Sequence, residues 1–232
     1  MMDKKVLIVD DEKYILELLQ VNLESNGFEV ITCDNGNDVL ALCEANTPDV
    51  VLLDLMLPGL DGLEICKKIR NHPKLFNTVI IMITARGDEI DKVIGLELGA
   101  DDYMSKPFSV REVIARIKAI FRRIDAKGTN STMSICNKSD GLRIDYETGE
   151  VFVENEKINL SYMEFKLLEV LAHNRGNIVQ RHDLFKQVWG YELIEETRTL
   201  DVHIRKLRKK LGDDEKYPNL IETVRGLGYK LK

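Results

Sequence analysis

The sequence predicts an α/β protein in two parts: a doubly wound parallel sheet of five strands, then a smaller unit of short strands and three helices. Three observations predict it. Apolar runs of strand length alternate with amphipathic helical stretches five times over residues 1–124, the signature of repeated βαβ units. Residues 125–140 lose that periodicity and turn polar, as a linker does. Residues 141–232 change to short alternating strands and helical patterns closed by a glycine-tipped hairpin.

The strands of the first part are Lys5–Val9, Phe28–Thr32, Val50–Asp54, Val79–Thr84 and Asp102–Ser105. Helices start near Glu12, Gly36, Asp61, Asp88 and Ser109, the last running to Ile124. Five short strands covered on both faces are expected in the flavodoxin-like order 2-1-3-4-5. That order sets the first and third strands side by side.

In the second part the strands are Leu142–Asp145, Glu150–Glu154 and Lys157–Leu160. Ser161, with Glu164 three residues on, reads as a capping box opening a helix whose apolar stripe is Phe165, Leu168 and Leu171. Arg181–Trp189 is the next helix and Thr197–Leu211 the third. In that third helix Leu200, Ile204, Leu207 and Leu211 form one narrow inward face. Arg198, Val202, Arg205 and Lys209 repeat on the opposite face, with Thr199 and Lys206 beside it. Leu220–Lys230 closes the chain as a hairpin with Gly226-Leu227-Gly228 at its tip.

The bulk composition bounds the function. A chain of 232 residues is comfortable for two domains, and 44% apolar with 31% charged residues is ordinary for a soluble protein. No apolar run approaches the roughly 18 residues that would span a membrane. The start, Met1-Met2-Asp3-Lys4-Lys5, leads straight into a strand rather than a signal peptide. A cytoplasmic protein without membrane association is expected. Cys33, Cys43, Cys66 and Cys136 have neither C-x-x-C spacing nor suitably spaced histidines, so buried free thiols are expected rather than a zinc site. The net charge of −6 lies wholly in the first half, whereas the second concentrates Arg198, Arg205, Lys206, Arg208, Lys209 and Lys210. Such a local basic stripe, on a helix following a short helix and a turn, suits the major groove of DNA. A solvated charged face is the alternative reading.

Chemistry concentrates at strand ends. Asp54 closes the run Val50-Val51-Leu52-Leu53, Asp10 and Asp11 close the first strand, Thr84 the fourth, and Lys106 follows the fifth. In an open parallel sheet these ends share one crevice. Taken singly, Asp10 and Asp11 read as helix caps, Thr84 as a strand-end hydroxyl and Lys106 as a solvated charge. Jointly, at four strand ends, they describe a pocket. An Mg2+-dependent phosphohydrolase with an aspartyl nucleophile commonly places a second acid two residues on, and here that position is Met56. A protein that only binds DNA through its basic helix would leave the acidic pocket without a purpose.

The stretches Val6-Leu-Ile-Val-Asp-Asp-Glu12, Leu53-Asp-Leu-Met-Leu-Pro-Gly59, Gly99-Ala-Asp-Asp-Tyr-Met-Ser-Lys-Pro-Phe108, Thr197-Arg-Thr-Leu-Asp-Val-His-Ile-Arg-Lys-Leu-Arg208 and Thr223-Val-Arg-Gly-Leu-Gly-Tyr229 closely resemble a two-component response regulator. The resemblance is to the winged-helix (OmpR/PhoB-like) family and covers nearly the whole chain. It implies a phosphoacceptor receiver domain over 1–124, a linker over 125–140 and a winged helix-turn-helix DNA-binding domain over 141–232. It further implies a regulator of transcription rather than an enzyme, with Asp54 accepting a phosphoryl group from a sensor histidine kinase. Asp11, Asp54 and the Met56 carbonyl would ligate Mg2+, with Asp10 acting directly or through a water. Thr84 and Lys106 would hold phosphoryl oxygens, Tyr103 would turn inward as Thr84 moves, and the Lys106–Pro107 bond would be cis. A homodimer on phosphorylation would use the fourth helix, fifth strand and fifth helix, with Lys92, Asp101, Asp102, Glu112, Arg116 and Arg123. Arg198, Thr199, Val202, Arg205 and Lys206 would face the groove of promoter DNA, flanked by Arg208 and Lys209. Arg225 would enter the minor groove, Tyr229 would touch phosphate, and Gly190–Glu196 would meet RNA polymerase.

Overall fold

Strands β1 (Lys5–Val9), β3 (Val50–Asp54) and β4 (Val79–Ala85) are built mainly from β-branched and leucine side chains, and residues 6–9, 50–53 and 79–83 are almost completely buried. Such residues suit a pleated surface covered on both sides. With β2 (Glu29–Cys33) and β5 (Asp102–Lys106) they make one parallel sheet in the order β2-β1-β3-β4-β5, the order expected. The computed structural model describes residues 4–85, 89–125, 135–136, 141–146, 148–191, 198–213 and 220–232. The chain divides into two compact units, Met1–Lys118 and Ala119–Lys232.

In the first unit the crossovers are α1 (Lys13–Glu24), α2 (Val39–Asn46), α3 (Gly62–Asn71) and α4 (Glu89–Leu98), and α5 (Val110–Asp125), within which the first unit ends, follows the last strand. Asp61 caps α3 by accepting from the Glu64 amide at 2.8 Å. The second helix starts at Val39 rather than at Gly36, because the glycine is pinned elsewhere. Its N–H donates to the Pro58 carbonyl at 3.0 Å, and a Cβ there would lie 1.9 Å from the Leu60 carbonyl oxygen. The same loop is pressed on the sheet at Gly62, where a Cβ would meet the Asp54 carbonyl oxygen at 2.3 Å.

In the second unit β6 (Ile135–Cys136), β7 (Leu142–Asp145), β8 (Glu150–Val153) and β9 (Glu156–Ile158) form an antiparallel sheet in sequence order. Then come α6 (Tyr162–His173), β10 (Val179–Gln180), α7 (Arg181–Trp189), α8 (Thr199–Leu211) and the hairpin β11 (Ile221–Val224) and β12 (Gly228–Leu231). Two short strands differ from the expectation. β6 lies inside the stretch read as linker, paired through Ile135 with Ile144 and Cys136 with Arg143. β10 pairs with β12. Two-residue strands carry no periodicity, so only their partners reveal them. Gly228 lacks a side chain where β10 crosses it: a Cβ would sit 2.0 Å from the Val179 carbonyl oxygen. The capping box at α6 has both of its reciprocal hydrogen bonds.

Candidate functional site

The register of the parallel sheet carries side chains at strand ends to a common edge. Val9 lies opposite Leu53, Asp54 opposite Ile83, and Thr84 opposite Ser105. Asp54 and Lys106 end β3 and β5, Thr84 stands one residue before the end of β4 and Asp10 directly follows β1, so all four lie at the carboxyl end of the sheet. Asp10 is fully buried, Asp54 and Thr84 nearly so, and Asp11 is exposed. One carboxylate oxygen of each aspartate (Asp10, Asp11, Asp54) lies within 4.8 Å of the others.

Lys106 ties this cluster together. Its ammonium donates to Asp54 Oδ2 at 2.6 Å, pairs with Asp10 Oδ2 at 2.9 Å and reaches Glu12 Oε1 at 3.0 Å. The Lys106–Pro107 bond is cis. Backbone amides hold the other carboxylate oxygens, with Glu12 N–H donating to Asp10 Oδ1 at 3.0 Å and Met56 N–H to Asp54 Oδ1 at 3.1 Å. Burial pushes the Asp10 carboxyl above its ordinary range, and the charge of Asp54 adds to that, although Lys106 and the Glu12 amide pull the other way. Burial alone would lower the Lys106 ammonium; its hydrogen bonds to Asp54, Asp10 and Glu12 more than reverse this and hold it firmly protonated. One ammonium against three clustered aspartates leaves negative charge uncompensated, and the donors are all hard oxygens. That set fits Mg2+, which takes carboxylates and keeps several waters. Glu12 was not singled out in the sequence, because an exposed glutamate at a helix start has no distinguishing pattern.

On the neighbouring face Tyr103 is half-buried on β5. Arg116 pairs with Asp102 Oδ2 at 2.6 Å and with Glu112 Oε1 at 2.7 Å. Asp101 corrects the expected dimer face. It is only 2% exposed, accepts from the Ile80 N–H at 2.8 Å and pairs with Arg70. Arg70 in turn donates to the carbonyls of Gly99 and Phe76 at 2.6 and 3.0 Å. The carboxylate is consumed in tying the α3 end to the start of β5, which a charge pattern in the sequence does not reveal. The side chains of Lys92 and Arg123 lie outside those described, as do residues 192–196 of the Gly190–Glu196 loop.

In the second unit α8 has the expected inward stripe, with Leu200, Ile204, Leu207 and Leu211 all buried. Arg198, Arg205 and Lys209 are exposed. Four of the remaining expected contact residues are instead buried. Thr199 is 1% exposed, and its carbonyl accepts from His203 Nδ1 at 2.8 Å. Val202 is 6% exposed, because the buried arc of this helix is wider than the leucine stripe alone. Arg208 turns inward, with Nε and Nη2 donating to the Ile221 carbonyl at 3.0 and 2.6 Å and Nη2 to Thr223 Oγ1 at 2.8 Å. Its guanidinium fastens α8 to β11 rather than flanking the helix. Tyr229 is buried between Arg181, which donates to its hydroxyl at 3.0 Å, and Asp201, to which that hydroxyl donates. Arg225 stands exposed at the hairpin turn, beside Gly226 in the left-handed region at φ +75. Lys206 also differs from the expectation: its ammonium faces Glu164 Oε1 at 3.8 Å.

Comparison with known proteins agrees in both halves. A family model described as response regulator receiver domain matches residues 6–118, and one described as transcriptional regulatory protein, C terminal, matches residues 155–231. The chain is 45% identical over 237 residues to the alkaline phosphatase synthesis transcriptional regulatory protein PhoP of Bacillus subtilis, covering 100% of this chain and 98% of that protein. Among solved structures it is similar to response regulator DrrB, a Thermotoga maritima OmpR/PhoB homologue, at 34% identity, TM-score 0.52 and full coverage of both chains. It is also similar to a mutant of RitR at 30% identity and TM-score 0.76, covering 99% of each chain.

Proposed function

The chain belongs to the winged-helix (OmpR/PhoB-like) family of two-component response regulators, phosphorylation-dependent regulators of transcription, and from that premise we propose that Asp54 is its phosphoacceptor. The observation that carries this reading is the Lys106 ammonium set between Asp54 and Asp10 at a buried strand edge. Phosphoryl transfer requires in-line attack and stabilisation of charge on the equatorial oxygens, with little covalent work for the protein. Asp54 Oδ attacks the phosphorus of a phosphohistidine on the sensor kinase, the P–N bond breaks, and an acyl phosphate forms. Lys106 and the Thr84 hydroxyl hold the transferred oxygens. Asp11, Asp54 and the Met56 carbonyl would hold Mg2+, with Asp10 acting directly or through a water. When bound, the ion supplies neutralising charge on the phosphoryl oxygens.

Thr84 and Tyr103 are the switch, reporting the phosphate to the β5 face by differential contacts in two states. Residues 1–124 act as receiver and 141–232 as effector, joined by 125–140, of which β6 pairs into the effector sheet. Phosphorylation promotes a homodimer through α4, β5 and α5, with Lys92, Asp102, Glu112, Arg116 and Arg123 as its charges. In the effector, Arg198, Arg205 and Lys209 meet promoter DNA from the exposed side of α8, and Arg225 enters the minor groove. The 190–196 loop meets RNA polymerase. The receiver supports its own phosphorylation and dephosphorylation, but the protein acts as a regulator rather than an enzyme. Among the described residues no helix is long and apolar enough to cross a membrane, and we place the protein in the cytoplasm.

Incubation with acetyl phosphate and Mg2+, read by intact mass, tests the reading. One phosphoryl group is expected on the native chain and none on Asp54→Asn. Undiminished uptake by that variant would remove Asp54 from the mechanism.

A further inference from the structure

Glu164 is among the most deeply buried charged groups of the second unit, 0% exposed at the third position of α6. A carboxylate there has only a partial local role. Its Oε2 accepts from the Ser161 N–H at 2.7 Å, which completes the capping box. A glutamine would make that bond as well, without the penalty of burying a charge.

The charge is answered from α8. Lys210 Nζ donates to Oε2 at 2.5 Å, and Lys206 Nζ lies 3.8 Å from Oε1. These two lysines stand four residues apart, so one face of the helix presents both to a single carboxylate. Their side chains retain 37% and 16% exposure respectively. Burial raises the Glu164 carboxyl, but Lys210 and then Lys206 outweigh it and leave the group below its ordinary value. Glu164 is therefore ionised at neutral pH, and breaking such a pair leaves a buried charge without compensation.

We propose that Glu164 is a positioning residue for DNA recognition: from α6 it holds the ammonium groups of Lys206 and Lys210 back from the duplex. The inference rests on α8 as the reading helix. Its consequence is electrostatic. Every lysine that neutralises a phosphate adds about 0.9 to the steepness of log affinity against log salt. A helix with two lysines withheld binds non-specific DNA less tightly than its sequence charge implies, and discriminates better in proportion.

The test is a titration of the full-length protein on matched and scrambled duplexes over several salt concentrations. Glu164→Gln keeps the shape and the Ser161 bond but releases both lysines. It is expected to steepen the salt slope by about one to two units and to tighten scrambled-duplex binding more than matched. A slope that is unchanged, with matched and scrambled affinities falling alike, would mean a purely structural carboxylate and would overturn the proposal. Lys206→Gln in the otherwise native chain keeps the test decisive if the first variant folds poorly. It should leave the slope unchanged, and a loss of about one unit would show that Lys206 already contacts phosphate. Arg205→Ala and Lys209→Ala separate the two levels of argument. If neither changes affinity or slope, α8 is not the reader, and the inference falls with its premise. If they do and Glu164→Gln does not, the inference alone fails.

Discussion

Asp10 shows how a functional site is bought with stability. A carboxyl whose folded value is raised disfavours the ionised form in the native state, so it opposes folding at every pH above its ordinary value. Asp10→Asn removes that opposition. The expected outcome is a receiver with a higher melting temperature at neutral pH than the native chain and weaker Mg2+-dependent phosphorylation. Thermal denaturation with and without Mg2+ checks it, and a lower melting temperature would mean that the Lys106 pair outweighs burial. Lys106→Ala separates acceptance from response. The variant should still take some phosphate on Asp54 but show no change in association, because the cation proposed to hold the phosphoryl oxygens is gone.

At the scale of elements, the effector depends on how α8 is fixed to its neighbours. Arg208 reaches β11 through three hydrogen bonds while only 8% exposed. Truncating such a group leaves the buried Ile221 carbonyl without these donors, at roughly 1–3 kcal/mol. Arg208→Ala should therefore destabilise the second unit by about that much in denaturant titration, and its DNA affinity should fall only as the folded fraction falls. Arg205→Ala should instead cost about 1 to 3 kcal/mol in binding and relax the preferred sequence. Acid acts on the same junctions. Glu164 has a depressed carboxyl through Lys210 and Lys206, and Asp201, though raised by burial, is depressed through Arg181 and Tyr229. Groups depressed in the folded state contribute stability that is complete above their ordinary pKa and is lost as pH falls through the folded one. The second unit should lose stability as pH drops below the usual carboxylate range, and Glu164→Gln should flatten that decline in a pH series of unfolding curves.

For the whole molecule, the proposed function requires phosphorylation at one strand edge to alter association and DNA binding by biasing two discrete states. A two-fold interface can satisfy paired charges across itself. Sedimentation should therefore show a shift toward dimer with phosphodonor and Mg2+. Lys92→Glu should weaken that dimer, and adding Glu112→Lys should partly restore it. Absence of rescue would return these charges to intramolecular pairs such as Glu112 with Arg116, worth little individually where exposed. The charge distribution suits the division of labour. A net −6 confined to the first half keeps that surface off DNA, while the basic helix of the second provides local attraction.

The sequence alone determined the sheet. Uninterrupted apolar runs separated by amphipathic stretches admit few arrangements other than a doubly wound parallel one, and its strand ends then have to share a crevice. Asp10, Asp54, Thr84 and Lys106 were legible for that reason, as were the capping box of Ser161 and Glu164 and the leucine stripe of α8. What only the tertiary structure decided is where each charge goes. A periodic pattern states which face of a helix is apolar, but a long polar side chain can turn off its own face toward a buried partner on another element. Arg208 turned to β11, Lys206 to Glu164 and Asp101 to Arg70, and each looked like a surface charge in sequence. Partners distant along the chain, such as Glu164 and Lys210, meet only because α6 and α8 pack together, and no spacing within either helix encodes that meeting.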